Sequence, residues 1–307
     1  MLELEAYRRE LIAHCYRMTG SVDDAEDLVQ ETFLRAWRAQ DGFEGRASVR
    51  SWLYRIATNV CLTALERRRF LPSGLGPAGT DPLGPVELAP DVAWIQPIPD
   101  DPADTVVQRD HLRLALVASL QFLPPRQRAV LLLRDVLAWS AAEVGDALDM
   151  SVAAVKSALQ RARGTVSTLS PEQVAPAPAE ARAVLDAYVK AFEASDAAAL
   201  ERLVTDDVVL EMTGVRTWFA GKATCMPHFK AQALGEPGDW RMTPAPANGQ
   251  PAVIAYFRGE PYAVAVLTVR GDRMARVAVF ADPAVVRRFI SSSGGRSSSR
   301  SGRSVSS

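Results

Sequence analysis

Trp139–Val166, WSAAEVGDALDMSVAAVKSALQRARGTV, reads as two short helices joined by a tight turn. Ser140 caps the first helix, with Glu143 three residues on to close a capping box. Ala142, Val144, Ala147 and Leu148 form its packing face. Asp149-Met150 make the turn and Ser151 caps the second helix. There Val155, Ala158, Leu159, Ala162 and Val166 recur at helical spacing and must face inward. The opposite face carries Ser151, Ala153, Lys156, Ser157, Gln160 and Arg163, with Arg161 at its edge. Such a face suits a helix in the DNA major groove: Lys and Arg for phosphates and guanine edges, Gln for adenine edges. An ordinary helical hairpin with a solvated basic face fits this stretch equally, so the rest of the chain has to choose.

Working outward, residues 1–70 read as all helix. Leu4, Tyr7, Leu11, Cys15 and Met18 mark a helix ending at Gly20, and Ser21 starts the next. Ala25, Leu28, Val29, Thr32, Phe33, Ala36 and Trp37 form an apolar stripe on that second helix. Asp24, Asp27, Gln30 and Glu31 lie off the stripe, as a solvated face or a docking face for a basic or polar partner helix. After a glycine-containing loop with Phe43, Ser48 caps a third helix, VRSWLYRIATNVCLTALERRR. Its aromatics interleave with arginines, a pattern that stacks unpaired bases and holds a single strand. Trp52 and Tyr54 also fit as core residues of a three-helix bundle.

DDAEDLVQETFLRAW, FEGRASVRSWLYRIATN and LPPRQRAVLLLRDVLAWSAAEVGDALDMSVAAVKSALQRAR occur in this order. Together they resemble an extracytoplasmic-function sigma factor of bacterial RNA polymerase, over residues 5–70 and 108–166. The resemblance implies that residues 1–70 bind the polymerase clamp through Asp24, Asp27, Gln30 and Glu31. It implies that Phe43, Arg46, Ser48, Arg50, Trp52, Arg55 and Asn59 lie near the melted start-proximal element. Residues 108–170 would read the upstream promoter element through Ser151–Arg163. The chain departs from common members at Thr58, where Arg is frequent.

Composition is globular, with 48% hydrophobic and 23% charged residues in 307, so sizeable cores can be buried. The formal net charge of -1 confines any nucleic-acid surface to a local patch. Cys15, Cys61 and Cys225 lie far apart and form no pair motif, which suits a reducing cytoplasm. His14, His111 and His228 show no metal-ligand spacing with them. The N-terminus is no signal peptide, and no apolar run reaches membrane-span length. No metal or cofactor is expected.

Residues 71–107 form a Pro/Gly-rich acidic linker, irregular or disordered over PSGLGPAGTDPLGPVELAP. The stretch WIQPIPD is expected to dock, because a Trp and an Ile in a free tether would be costly. After Pro171 come a Pro/Ala hinge, two helices and the strand-like runs 208–212, 240–244, 252–257, 263–269 and 275–280. The expectation for 177–290 is an α+β domain with helices packed on a curved sheet. Its layout resembles the SnoaL-like group of the nuclear transport factor two-like fold, whose members use the concave sheet as a pocket. Catalysis there would need a buried carboxylate with Tyr or His beside it. Asp207, Glu211, His228 and Tyr256 are available, with Trp218, Phe219 and Trp240 as lining. The pocket set is Glu211, Trp218, His228, Trp240 and Tyr256. The Ser/Arg tail, 291–307, reads as disordered.

The reading is therefore multidomain: two all-α domains joined by an irregular linker, then an α+β domain. The expected partners are core RNA polymerase and promoter DNA, with a small-molecule ligand or an anti-sigma factor as further ones and no membrane. The rival readings are a bifunctional chain with a catalytic pocket and a DNA-binding regulator independent of polymerase.

Overall fold

The computed structural model describes residues 4–43, 48–67, 70–72, 74, 76–100, 113–169 and 177–294. The chain forms two compact units, one from residues 1–72, 93–95 and 111–172, the other from 73–92, 96–110 and 173–307.

The first unit is helical: α1 (Arg8–Thr19), α2 (Val22–Ala39), α3 (Val49–Leu65), α4 (Leu114–Gln121), α5 (Pro125–Leu131), α6 (Ala141–Leu148) and α7 (Val152–Leu169). Gly20 ends α1 at φ 81°, a left-handed cap that glycine adopts without strain. Ser21 and Ser48 accept hydrogen bonds from the Asp24 and Ser51 amides and so start α2 and α3. The three helices pack around Leu11, Cys15, Met18, Ala25, Val29, Leu53, Ala57 and Cys61, all buried. Cys15 and Cys61 meet in this core, where a hydrogen bond with Cys15 and burial push the Cys61 thiol well up. A pair distant in sequence is thus adjacent in space, because α1 and α3 pack side by side.

His14 is fully buried among these helices. Its Nε2 lies 2.9 Å from the Thr58 hydroxyl, which itself donates to the Tyr54 carbonyl at 2.7 Å. A hydroxyl has one proton to give, so His14 Nε2 carries the hydrogen and Nδ1 is bare. Burial, then the nearby Arg17 charge, holds the imidazole neutral down to about 3. Thr58 is therefore a core residue, and Arg there would have to be buried.

Arg128 of α5 is also buried. It donates to the Met18 carbonyl at the end of α1, to the Gln121 side chain and, at 3.1 Å, to the Leu123 carbonyl. Gln121 in turn donates to the Arg17 carbonyl at 3.3 Å. One guanidinium thus satisfies carbonyls left over at helix ends and ties α1 to α4 and α5. Ile95 pairs with Leu71 through its amide and is buried beside Gly20.

The second unit follows the expected α+β layout: α8 (Pro178–Glu193), α9 (Ala197–Leu203), β1 (Val204–Met212), β2 (Phe219–Ala220), α10 (Lys222–His228), β3 (Trp240–Pro244), β4 (Ala252–Phe257), β5 (Glu260–Arg270), β6 (Arg273–Phe280) and α11 (Pro283–Gly294). The sheet order is β2-β1-β6-β5-β4-β3, with β1 and β6 parallel and the other pairs antiparallel. One face packs Val208, Leu210, Val253, Ala255, Ala265, Leu267 and Val277 against Leu185, Tyr188, Phe192 and Leu200. α11 contacts β4 and β5. With both faces covered, β5 is buried from Ala263 to Val269 without alternation. Helix α11 runs to Gly294, into the stretch assigned from sequence to the tail; residues 295–307 lie outside the described residues.

The linker is irregular in this unit but pinned. Gly79 donates to the Trp218 carbonyl at 2.7 Å, Ala89 to Gly214 at 2.8 Å and Arg216 to Glu87 at 2.8 Å. Periodicity is a signal of side-chain packing, so a segment held by its backbone shows none. WIQPIPD docks as expected: Asn248, buried at φ 55°, accepts from the Ile98 amide through Oδ1 and donates its own amide to the Ile98 carbonyl, both at 3.0 Å.

Candidate nucleic-acid interface and C-terminal cavity

The two helices around Asp149 form as read from sequence. Ser140 and Glu143 make the full capping box, and Asp149 sits at φ 53° in the turn. Ser151 accepts from the Ala154 amide at 3.2 Å. Gly145 was not legible as essential, yet a Cβ there would lie 2.5 Å from the Met150 carbonyl. The turn therefore needs glycine in α6 for the backbone to fold back. Val155, Ala158, Leu159 and Ala162 are buried, whereas Ser151, Ala153, Lys156, Ser157, Gln160, Arg161 and Arg163 are exposed. The side chains of Lys156, Gln160 and Arg161 have no partner among the described residues. Arg163 differs: it holds Asp135 with two hydrogen bonds, at 2.6 and 2.9 Å. Asp135 follows α5 in a π-helical turn, so this pair ties α7 to that turn.

On α3, Trp52, Arg55 and Asn59 share one face by helical spacing, with Arg55 and Asn59 exposed. Phe43 stacks on Trp52 with ring centroids 4.8 Å apart, and both remain half-buried. Ser48 is spent on its cap. Arg50 is engaged within the bundle: it bonds Glu10 at 2.7 Å and its guanidinium lies 4.9 Å from the Tyr54 ring centre. Tyr54 is core. Arg46 lies outside the described residues.

On α2, the buried side is the narrow stripe Ala25, Val29, Thr32 and Ala36. Trp37, placed on the stripe from sequence, is 63% exposed, and Leu34 is 49% exposed. Small residues suffice for the close approach of α2 to its neighbours, so the Trp at its last turn is left outside. Asp27 and Gln30 are exposed, Asp24 and Glu31 half-buried, and Glu31 pairs with Arg35 at 2.7 Å.

The five pocket residues are not brought together. Alternation along the strands puts Glu211 and Tyr256 on the face opposite the Leu210 and Ala255 core. There Glu211 is ion-paired with Arg276, and Arg241 lies over the Tyr256 ring. Trp240 packs between Phe192, Phe257 and Tyr262 and donates to the Ala233 carbonyl at 2.9 Å. Trp218 stands in the loop before β2, its Nε1 buried without a hydrogen-bond partner among the described residues. Asp207 pairs with Arg270, which lowers its pKa. His228 alone of the five lines the cavity at the end of the sheet, about 610 Å³ in volume, whose walls include Met212, Val279, Tyr262 and the linker residues Leu83, Val86 and Leu88. Strand parity hid this, because a bulge between Ala255 and Tyr256 turns Tyr262 onto the Trp240 side. Among the described residues no cluster of His, Cys, Asp and Glu could hold a metal, and no helix is long and apolar enough to cross a membrane.

Comparison with known proteins agrees with this geometry. The family model described as Sigma-70 region 2 matches residues 4–70, and that described as Sigma-70, region 4 matches 113–166. The extracytoplasmic-function (ECF) RNA polymerase sigma factor SigG of Mycobacterium tuberculosis is 49% identical over 302 residues, covering 93% of this chain and 82% of the relative. SigW of Bacillus subtilis, also an ECF sigma factor, is 31% identical over 165 residues, covering 52% of this chain and 82% of the relative. The crystal structure of the extracytoplasmic-function sigma factor SigJ of Mycobacterium tuberculosis aligns with TM-score 0.64 at 23% identity, over 93% of this chain and 98% of that one, a likeness of fold. Two sigma regions in order, a helix-turn-helix with a free polar face, and a relative 49% identical over 93% of the chain lead to one conclusion beyond the fold itself: the chain belongs to the extracytoplasmic-function sigma factors of RNA polymerase.

Proposed function

We propose that this sigma factor brings core polymerase to promoters by reading two DNA elements with two helices, under control of its own C-terminal domain. The upstream element is read by α7 through Lys156, Ser157 and Gln160, with Ser151, Ala153 and Arg161 at the edges. The start-proximal element meets Trp52, Phe43, Arg55 and Asn59. The clamp meets Asp27 and Gln30 beside the exposed Leu34 and Trp37. The observation that carries this reading is the face of α7, where Lys156 and Gln160 are exposed and unspent while Val155, Ala158, Leu159 and Ala162 are buried on the other side.

Residues 177–290 regulate in cis rather than catalyse. Supporting this, the carboxylates available for acid–base work are spent elsewhere: Glu211 on Arg276 and Asp207 on Arg270. The linker that joins the sigma regions is bonded to this domain at Gly79, Glu87, Ala89 and Ile98, so its order and that of the domain are linked. The chain acts in the cytoplasm, where polymerase is, and an anti-sigma factor is a further partner for the clamp-facing surface.

The test is reconstitution with core polymerase and mapping of the promoters opened. Charge reversal at Asp27 should reduce co-purification with core enzyme. Truncation after Pro176 should change transcription markedly, a gain being expected if the domain inhibits. Equal activity of both forms, with turnover of a small molecule by the full chain, would instead favour a catalytic C-terminal domain.

A further inference from the structure

We infer that the cavity of the C-terminal domain is a binding site for a small neutral molecule with an apolar body and one hydroxyl group. One wall of that site is the chain's own linker.

The cavity is about 610 Å³, within the range of small-molecule sites. No Asp, Glu, Lys or Arg is among its described lining residues. A phosphate or carboxylate ligand would meet no Lys or Arg on these walls, which disfavours nucleotides and organic acids. Three large apolar side chains around it are strongly exposed: Leu83 at 61%, Leu88 at 72% and Tyr262 at 52%. Exposed apolar groups gathered on one concave surface mark a place where something binds. Met212, Val215 and Val279 continue that surface.

The polar group is set by His228, which is 6% exposed and stacked on Phe219 at 4.5 Å. Its Nδ1 lies 3.1 Å from the Pro82 carbonyl, which only accepts, so Nδ1 carries the proton. In the neutral ring Nε2 is then a bare acceptor, and it has no partner among the described residues. A hydroxyl on the ligand supplies the missing donor, and the Gln232 amide, also at the wall, can bond its oxygen. The same histidine holds Pro82 of the linker, and the linker supplies Leu83, Val86 and Leu88 to the wall, so occupancy of the site and docking of the linker favour each other.

This deepens the proposed cis-regulation by naming what the domain responds to; the site itself is tested without polymerase or DNA. The full chain is titrated with 2-naphthol, naphthalene and 2-naphthoate, followed by fluorescence or calorimetry. Saturable binding of 2-naphthol is expected, at least tenfold tighter than that of the charged 2-naphthoate. Leu88→Glu, at an exposed position where folding is not at stake, should weaken 2-naphthol binding at least tenfold. His228→Phe, checked for folding by its thermal melt, should erase the preference for 2-naphthol over naphthalene. No saturable binding, equal binding of 2-naphthoate, or undiminished binding by Leu88→Glu overturns the proposal. A failed promoter assay is a separate result and bears only on the cis-regulation reading.

Discussion

The two helices proposed to meet DNA, α3 and α7, look alike in sequence, each apolar on one side and cationic or polar on the other. In the structure they are differently spent. On α7, Lys156 and Gln160 are free, and the one neutralised cation, Arg163, lies three turns in from Ser151. On α3, Arg50 is bound to Glu10 and Tyr54, and the polar contact of Thr58 is turned into the core by His14. Cations on α7 are thus available for readout, whereas α3 offers chiefly an aromatic pair, Phe43 and Trp52, with Arg55 and Asn59. The difference suits duplex recognition by α7 and stacking on unpaired bases by α3.

Acid should separate the two helices most. His14 titrates at 6.5 when exposed and is held neutral down to about 3 in the α1–α3 bundle. Below 6.5 the unfolded chain takes up a proton that the folded chain refuses, so stability falls as pH drops from 6.5 toward 3. The expected loss is about 2 kcal/mol at pH 5 and about 4 kcal/mol at pH 3. Urea melts across this range should show His14→Gln with a flatter slope than the native chain; parallel slopes would remove His14 from the account.

Arg128 joins the half that carries α3 to the half that carries α7. Arg128→Leu leaves the carbonyls of Met18 and Leu123 without their donor. A loss of about 3 kcal/mol in thermal or chemical unfolding is expected, and an unchanged melt would mean that the two halves are held by apolar packing alone.

Readout by α7 is tested next. Gln160→Ala should cost about 1–3 kcal/mol on the cognate promoter and little on other sequences. Lys156→Ala should weaken all sequences alike and reduce the salt dependence. Footprinting titrations at two salt concentrations distinguish these outcomes, and a Gln160→Ala loss equal on every sequence would assign Gln160 to the backbone.

The smallest effect is expected at Arg163. Because it is 60% exposed and paired with Asp135, Arg163→Ala and Asp135→Ala should each cost at most about 1 kcal/mol of stability. Neither should change which promoter is chosen. A shift in sequence preference by Arg163→Ala alone would return Arg163 to base reading.

Most of the first unit was legible because helix caps and apolar spacing are local signals. Ser21, Ser48, Ser140, Glu143 and Ser151 all do what their positions along the chain imply. In the C-terminal domain the strand runs other than the two-residue β2 were legible, but helices α10 and α11 were not, α11 because its serine-rich end reads as tail. The pocket set was misjudged because a single residue of register decides which face a strand side chain joins, and neither the bulge at Ala255/Tyr256 nor the ion pair of Glu211 with Arg276 has a local signature.

Taken alone, the amino-acid order determined the helices of the first unit and most of their buried faces, the helix-turn-helix, the family and the α+β character of the last domain. These depend on interactions within a few residues, where period and capping chemistry act. Only the tertiary structure decided which charges are spent, that Cys15 meets Cys61, that Trp37 stays outside, and that the linker walls a cavity. Those outcomes depend on partners distant along the chain, such as Glu10 for Arg50, Asp135 for Arg163 and Pro82 for His228. No periodicity records such a partner, because the contact exists only once the chain has folded.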